Sequence, residues 1–336
     1  MQWSQLLGHE QQRGWFQNAL QNGRLASSFL FVGPEGIGKR AFARLLAKSL
    51  LCGGTAPGML DCCGHCEDCV QVDASTHPDL IQVSKPADKA AIPVELLIGE
   101  REKRMREGLC YDISLKAYGG KRKIAILDDA DHLNVEGANC LLKTLEEPPA
   151  DSIFILIGTS LQRQLRTIRS RCQSILFRPL TQTALTQLLQ NIPMPQSEDG
   201  ETLSAEQAES IAAQCEGSLA KAWVLANEDL QAFRGNLKSL LAAPRLAIGD
   251  LTKQLTGLVD AAGKEGRAKR DRMKTLLQMA ADFYRHNSLY DGPVDSAQAT
   301  NCWKRSLEAM EQVDRNANQA ALLESWTSDM AVLSGR

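Results

Sequence analysis

The chain has 336 residues, of which 43% are hydrophobic and 23% are charged, and its net charge at pH 7 is -2. This composition excludes an intrinsically disordered protein, and the small net charge argues against one that coats nucleic acid or membranes through bulk electrostatics. No apolar run approaches the roughly 20 residues that span a bilayer, and the first residues lack the basic and apolar regions of a signal peptide. We therefore expect a cytoplasmic protein of two or three domains with no membrane partner.

Short apolar runs alternate with helical patterns in the first part of the chain. Five brief aliphatic runs, each bounded by polar or turn residues, predict buried strands. They cover residues 29–33, 80–83, 124–129, 153–158 and 174–177. Three further segments repeat apolar side chains every three or four positions, which predicts amphipathic helices over residues 38–51, 94–109 and 134–149. The alternation predicts an α/β domain, residues 1–178, in which helices cover both faces of a parallel sheet.

The strand patterns stop after Pro179. The rest of the chain is rich in Ala, Leu and Gln, and residues 191–202 form its most obvious turn-rich loop. We expect a small helical domain over residues 179–228, followed by a longer all-helical domain over residues 229–336. The fold class is therefore α/β, with two helical domains after the sheet.

A glycine-rich segment, GPEGIGKR, lies where the first strand passes into the first predicted helix. Gly33, Gly36, Gly38 and Lys39 match the phosphate loop G-x-x-x-x-G-K-[ST], whose backbone N–H groups bind phosphate. Arg40 replaces the hydroxyl residue that binds magnesium in such loops, so we expect hydrolysis to suffer more than binding. A purely structural strand-to-helix turn is the alternative, and ATP binding stays open.

Two acidic residues follow the third predicted strand. Asp128 lies where an aspartate reaches the metal through water, and Asp129 lies where a catalytic base would stand. The side chain of aspartate is one carbon shorter than that of glutamate, and activation of water is sensitive to this geometry. A solvated acidic turn at the end of a strand explains the same residues equally well.

Half of the ten cysteines fall within one short segment. Cys63, Cys66 and Cys69 are spaced C-x-x-C-x-x-C, and Cys52 lies at the end of a predicted helix, so the four thiolates can form a tetrahedral Zn2+ site. Four protein ligands leave zinc no open position, and the site would be structural. The sequence leaves open whether Cys62 replaces Cys63, and whether the thiols are redox-active or free of metal.

Taken together, GPEGIGK, the four-cysteine insert, THPDL, LLKTLEEPP and RSRC occur in an order and at spacings that resemble the AAA+ subunits of bacterial DNA polymerase III clamp loaders. The resemblance covers about residues 1–228. It implies an AAA+ nucleotide-type domain, a helical lid and a C-terminal collar domain through which five subunits form a ring. Such rings use ATP to open the sliding clamp and place it on primed DNA.

Three departures distinguish the chain from the motor subunits, gamma and tau. Those subunits keep G-K-[ST], a D-E pair and a lid arginine in G-S-L-R, where this chain has Arg40, Asp129 and Ala220. The departures resemble the delta-prime branch of the family, the stator, which need not hydrolyse ATP and is not catalytic alone. An active motor subunit with an unusual loop is the main alternative. A free-standing zinc protein that binds nucleic acid would explain only the cysteines.

The resemblance also implies site residues and partners. Arg171 of RSRC would be an arginine finger for the γ-phosphate of a neighbouring subunit, although pairing with a local carboxylate is the alternative. Thr159 lies where the family senses phosphate. The implied partners are the gamma/tau and delta subunits in a hetero-pentameric ring, and, through that complex, the sliding clamp and DNA. The basic groups at 101–106 and 264–274 are interleaved with acids, which predicts solvated helix faces.

Overall fold

The structure, a computed structural model, describes residues 1–56, 58–86, 89–194, 202–226, 228–243, 246–263, 266–290, 292–315 and 317–335. The chain divides into two compact units, Met1–Trp223 and Val224–Arg336. The first unit contains the sheet and also the first helices of the predicted lid. The separation of residues 1–178 from residues 179–228 therefore remains a prediction. Most of the turn-rich loop at 191–202 lies outside the described residues.

Five parallel strands form the sheet, in the spatial order β2-β3-β4-β1-β5. The strands are β1 Ser28–Val32, β2 Leu80–Val83, β3 Lys123–Leu127, β4 Ser152–Gly158 and β5 Gln173–Leu176. Each lies within two residues of a predicted strand. All residues of β1, β3 and β4 are buried, because these three strands lie inside the sheet and are covered on both faces.

Helices cover both faces of this sheet. The first nine are α1 Glu10–Gln21, α2 Lys39–Leu51, α3 Glu67–Asp73, α4 Val94–Ile98, α5 Leu109–Ser114, α6 Val135–Glu146, α7 Arg166–Arg169, α8 Gln182–Asn191 and α9 Ala205–Ala212. Alternate residues of β1 pack on opposite faces, as the strand period of two requires. Phe29 and Phe31 join Phe16 of α1 and Phe42 of α2 in one core. Leu30 and Val32 belong to a second core with residues of α4, α5 and α6.

The predicted helix over residues 94–109 is wrong, because the helix stops after one turn. α4 ends at Ile98, a short 3-10 turn covers Arg101–Lys103, and α5 begins at Leu109. Gly99 and Gly108 break the pattern with positive φ angles of 83° and 90°, which L side chains rarely adopt. A Cβ on Gly108 would lie 2.7 Å from the Gly99 nitrogen. The basic residues at 101–106 therefore lie on an exposed loop and not on a helix face.

Helices alone form the remainder of the described chain. They are α10 Leu219–Ala226, α11 Glu228–Ala242, α12 Ile248–Ala261, α13 Gly266–Leu289, α14 Ser296–Asp314 and α15 Gln319–Leu333. In the second unit, fully buried Trp326 donates its indole N–H to Ser306 Oγ at 3.2 Å. The basic group at 264–274 is helical from Gly266, while its first two residues lie outside the described chain. Among the helices described, none is long and apolar enough to cross a membrane.

Candidate functional site

The glycine-rich segment has the strand–turn–helix geometry of a phosphate loop. It joins β1 to α2, and Gly36 and Gly38 have positive φ angles of 74° and 98°. A Cβ on Gly33 would meet the backbone carbonyl of Phe177 and lie 3.0 Å from the Ile37 side chain. The three glycines are therefore required by the backbone path itself, with or without a ligand.

Lys39 is turned back onto its own loop. Its ammonium donates hydrogen bonds to the carbonyl oxygens of Gly33 at 2.7 Å and Pro34 at 2.6 Å. The side chain is buried, and this burial lowers the pKa of Lys39. In this arrangement the positive charge that would bind phosphate is engaged by backbone oxygens of the chain.

Arg40 reaches the acidic end of β3. Its Nε lies 3.5 Å from Asp128 Oδ2. Burial, together with the charge of Asp129, raises the pKa of Asp128, whereas Arg40 acts in the opposite direction. Asp129 has a left-handed backbone, with φ 57°, a conformation that aspartate tolerates better than most residues. The residue that replaces the magnesium-binding hydroxyl thus pairs with the carboxylate that the sequence assigned to a metal.

A second segment, Ser218–Ala220, packs directly on the loop. Ser218 Oγ donates to the Glu35 carbonyl at 2.8 Å, and the Leu219 N–H donates to the Gly36 carbonyl at 2.9 Å. A Cβ on Gly36 would lie 2.6 Å from Ser218 Oγ. In the sequence, Ala220 stood out only because it occupies a position where an arginine was expected. No pattern in the sequence indicated the contacts that Ser218 makes. We name this contact between Gly36 and Ser218–Ala220 the lid clasp.

Thr159 contacts a residue that sequence reasoning missed. The Thr159 N–H donates to Asp131 Oδ2 at 2.6 Å, and the Gln164 side-chain amide donates to Asp131 Oδ1. Asp131 lies two residues after Asp129 in the sequence. Its contact with Thr159 depends on the pairing of β3 with β4, which the sequence pattern does not specify. It fixes the backbone at the end of β4.

His9, a second residue that the sequence did not single out, joins the N-terminal segment to the loop. Its Nε2 lies 2.7 Å from the Ile37 carbonyl, so the ring must carry its proton on Nε2 to donate. The ring is 3% exposed and makes edge contacts with Phe42 and Phe177. This burial lowers the pKa of His9, which keeps the imidazole neutral.

The structure brings together the four cysteines predicted as metal ligands. The sulfur atoms of Cys52, Cys63, Cys66 and Cys69 all lie within 4.8 Å of one another. Three of the pairs are separated by 3.6, 3.8 and 3.9 Å. A tetrahedral zinc site with Zn–S bonds of about 2.3 Å needs sulfur atoms about 3.8 Å apart. Three of the six sulfur pairs therefore already have the separation that a zinc ion needs, and no pair exceeds it by more than about 1 Å.

Local elements explain this convergence, and their geometry favours Cys63 over Cys62 as a member of the group. Cys52 directly follows the last residue of α2, Cys66 precedes the first residue of α3, and Cys69 lies within α3. Cys62 is buried in the neighbouring apolar core and lies outside the four-sulfur group. Burial opposes ionisation of Cys52, yet the Cys63 N–H and the Thr55 hydroxyl outweigh it and lower the pKa of Cys52 to about 6. Such N–H donors also stabilise metal-bound thiolates.

The motif THPDL joins the cysteine-rich segment to the sheet. Buried Asp79 accepts hydrogen bonds from the N–H groups of Tyr118 and Gly119 at 2.8 and 2.9 Å. His77 Nε2 lies 3.5 Å from Asp68, a residue of α3. Asp79 thereby joins the segments before β2 and β3, and His77 contacts α3, which carries one of the four sulfur atoms.

Arg171 is paired with a carboxylate of its own chain. Its Nε donates to Glu146 Oε1 at 2.6 Å, and Nη2 donates to the same oxygen. Nη1 donates to the Thr167 carbonyl at 3.0 Å and to Ser170 Oγ at 3.1 Å. The side chain remains 30% exposed. The local pairing considered as an alternative for Arg171 is therefore present, on a surface that a partner can reach.

The chain is similar to known proteins over the region that carries the sequence motifs. A family model described as DNA polymerase III, delta subunit, matches residues 8–181, slightly more than half of the chain. The DNA polymerase III subunit delta' of Pseudomonas aeruginosa is 38% identical over 170 residues, which cover 51% of this chain and 44% of that protein. The delta' subunit of Bacillus subtilis is 36% identical over 170 residues, covering 50% of this chain and 47% of that protein.

Subunits named gamma or tau are also related to this chain. The DNA polymerase III subunit tau of Escherichia coli is 28% identical over 278 residues, which cover 82% of this chain and 40% of that protein. The chain thus spans less than half the length of each of these relatives. Because the family model covers the phosphate loop, the cysteine cluster and Arg171, the chain belongs to the delta-prime family of bacterial DNA polymerase III subunits, which is related to gamma and tau.

Proposed function

We propose that this protein is the stator subunit of a DNA polymerase III clamp loader. It helps to load the sliding clamp onto primed DNA in the cytoplasm, together with gamma/tau and delta subunits in a five-membered ring. In this role it donates Arg171 to a neighbouring ATPase subunit and does not hydrolyse ATP itself. Residues 179–228 act as the lid and residues 229–336 as the collar through which the subunits assemble.

The ion pair between Arg40 and Asp128 carries the proposal that hydrolysis is lost. Enzymes with this type of phosphate loop use a hydroxyl and a carboxylate that together hold Mg2+ near the phosphates. Here an arginine occupies the hydroxyl position and neutralises the carboxylate. The hydrogen bonds from Lys39 to the Gly33 and Pro34 carbonyls support the same conclusion, because a phosphate would have to compete with both acceptors.

The lid clasp supports a stator in a second way. In a motor subunit a bound nucleotide lies between loop and lid, so the lid moves as the nucleotide changes. Here Ser218 and Leu219 hydrogen-bond the Glu35 and Gly36 carbonyls directly. A lid bound to the loop by the chain itself stays in one position through the ATP cycle of its neighbours.

We further propose that Cys52, Cys63, Cys66 and Cys69 hold a structural Zn2+ ion. The sulfur separations match a tetrahedral site, and four thiolates leave no position for water or substrate. The ion would join the end of α2 to α3.

Two ATPase measurements test the proposed function. The isolated chain should show no turnover above background. A complex reconstituted with gamma/tau, delta, clamp and primed DNA should lose about 100-fold or more of its stimulated ATPase when it carries Arg171→Ala, since an arginine finger contributes about 10³–10⁵ in kcat. Arg169→Ala is the matched control, because Arg169 is an exposed arginine two residues away.

The two results separate the elements of the proposal. Robust turnover by the isolated chain would identify a motor subunit with an unusual loop instead. Equal rates for the wild-type complex and the complex with Arg171→Ala would reject the arginine finger. Equal losses for Arg169→Ala and Arg171→Ala would show a general effect of surface charge and not a finger.

A further inference from the structure

The guanidinium of Arg171 has two edges that donate hydrogen bonds. Each edge contacts a different kind of acceptor. The edge formed by Nε and Nη2 faces the Glu146 carboxylate. Nη1, on the other edge, donates only to neutral acceptors, the Thr167 carbonyl and Ser170 Oγ. Of the five N–H donors of the group, these contacts use four.

The two sets of contacts differ in strength. All four hydrogen bonds have the charged guanidinium as donor, but only those to Glu146 also join opposite charges, and Coulomb attraction makes these the stronger set. A phosphate oxygen that approaches Arg171 therefore displaces the Thr167 carbonyl and Ser170 Oγ before it displaces Glu146. Both neutral acceptors lie in exposed contacts, so water can bind them once they are released.

The backbone holds the two partners at a fixed separation. Glu146 is the last residue of α6, and Arg171 lies two residues beyond the end of α7. Each is adjacent to a buried residue, Leu145 at 4% exposure and Cys172 at 8%, and both of these belong to the same core. The core therefore sets the distance between the carboxylate and the guanidinium, and the side chains need only complete the contact.

We propose that Glu146 is a positioning residue for Arg171. It holds the Nε/Nη2 edge, so that the Nη1/Nη2 edge is presented to the γ-phosphate of the neighbouring subunit. The inference rests on the proposed function, since it requires Arg171 to act on a nucleotide in another subunit. Because arginine is long and flexible, an arginine that is already oriented loses less rotamer freedom when the interface forms.

The test uses the reconstituted clamp loader with four variants of this chain: Glu146→Ala, Glu146→Gln, Glu147→Ala and Arg171→Ala. Glu147→Ala is the matched control, because Glu147 is the next residue and is also exposed. Glu146→Ala should lower kcat about tenfold, with an unchanged KM for ATP, because Glu146 orients the finger and does not touch the nucleotide. Glu146→Gln keeps one acceptor oxygen, so it should lower kcat less.

A double variant and a measurement on the isolated chain complete the test. Glu146→Ala should have no further effect in the Arg171→Ala background, because its only role is to orient that side chain. In NMR spectra of the isolated full-length chain, the Arg171 Nε–H should be protected from exchange in the wild type and in Glu147→Ala. That protection should be lost in Glu146→Ala.

Each contrary outcome has a distinct meaning. An unchanged or raised kcat for Glu146→Ala, alongside a strong loss for Arg171→Ala, overturns the positioning role and leaves the proposed function intact. A loss that persists in the Arg171→Ala background, or equal Nε–H exchange in the wild type and Glu146→Ala, overturns it as well. If Arg171→Ala itself has no effect, the arginine finger of the proposed function fails, and the positioning role fails with it.

Discussion

Arg40 Nε lies 3.5 Å from Asp128 Oδ2, so the first turn of α2 is joined to the end of β3 by an ion pair within the chain. In a working phosphate loop these two positions meet through a magnesium ion. The pair is partly exposed, with Arg40 at 58% and Asp128 at 20%, and its net energetic contribution is therefore small. The pair is significant because it occupies the two positions that bind magnesium in a working phosphate loop.

Restoration of the hydroxyl alone should not restore hydrolysis. We expect Arg40→Thr to leave the ATPase of the isolated chain at background. Lys39 still donates to two loop carbonyls, and Asp129 still stands where the motor subunits have glutamate. Arg40→Ala is the matched control, because it also breaks the ion pair but supplies no hydroxyl. Turnover by Arg40→Thr and not by Arg40→Ala would show that residue 40 by itself blocks the reaction.

Two adjacent cysteines provide a test of the metal site. Cys63→Ser should lower the zinc content of the purified protein and its melting temperature, because a structural zinc site contributes directly to folding. Cys62→Ser should keep a full equivalent of zinc, since Cys62 lies outside the four-sulfur group. X-ray fluorescence at the zinc edge, on protein purified under reducing conditions, measures both. Full zinc in Cys63→Ser would contradict the ligand set.

The lid clasp leaves no room for a side chain at Gly36, so we expect one added methyl group there to lower the stability of the protein strongly. Gly36→Ala places a Cβ 2.6 Å from Ser218 Oγ at a φ of 74°, so both steric overlap and backbone strain destabilise it. We expect a loss of about 2–4 kcal/mol in the free energy of unfolding. Gly23→Ala is the control, because Gly23 also has a positive φ, 63°, but open space around it. It should lose only the strain, about 1–2 kcal/mol. Equal losses in urea melts would argue against the clasp.

His9 predicts a dependence of stability on acidity. Its pKa in the folded protein lies below the ordinary value of 6.5, chiefly because of burial. Below pH 6.5 the unfolded chain therefore binds a proton that the folded chain does not, and the free energy of unfolding falls as the pH drops toward the folded-state pKa.

A non-titrating variant isolates this contribution. His9→Gln keeps an N–H donor for the Ile37 carbonyl but carries no titrating group. The difference in the free energy of unfolding between wild type and His9→Gln should be constant above about pH 7.5. As the pH falls through 6.5, the wild type should lose stability relative to the variant. Urea denaturation at pH 8, 6.5 and 5 measures it. A difference independent of pH would show that His9 titrates alike in both states.

Sequence patterns predicted the elements of the α/β region because their causes are local. A strand buried on both faces needs a continuous apolar run, as in residues 29–32, and a tetrahedral thiolate site needs closely spaced cysteines such as Cys63, Cys66 and Cys69. The helix predicted over residues 94–109 failed because two glycines, Gly99 and Gly108, adopt positive φ angles that an apolar repeat does not reveal.

The contacts that define the candidate site are non-local, and no spacing rule contains them. Ser218 donates to Glu35 across 183 positions, and Arg171 donates to Glu146 across 25. Such pairs depend on how helices and strands are placed in space, which periodicity within one element does not specify. The motif RSRC therefore identified the arginine, while its carboxylate partner appeared only in the folded chain.

One helix connects the two centres of the first unit. α2 begins at Lys39, in the phosphate loop, and Cys52, which follows its last residue, is one of the four clustered cysteines. With a rise of about 1.5 Å per residue, the two ends are about 20 Å apart. The buried side of α2 packs throughout this length in the same core as β1. An ion bound at the Cys52 end would therefore stabilise the same helix whose first turn, at Lys39, supports the phosphate loop.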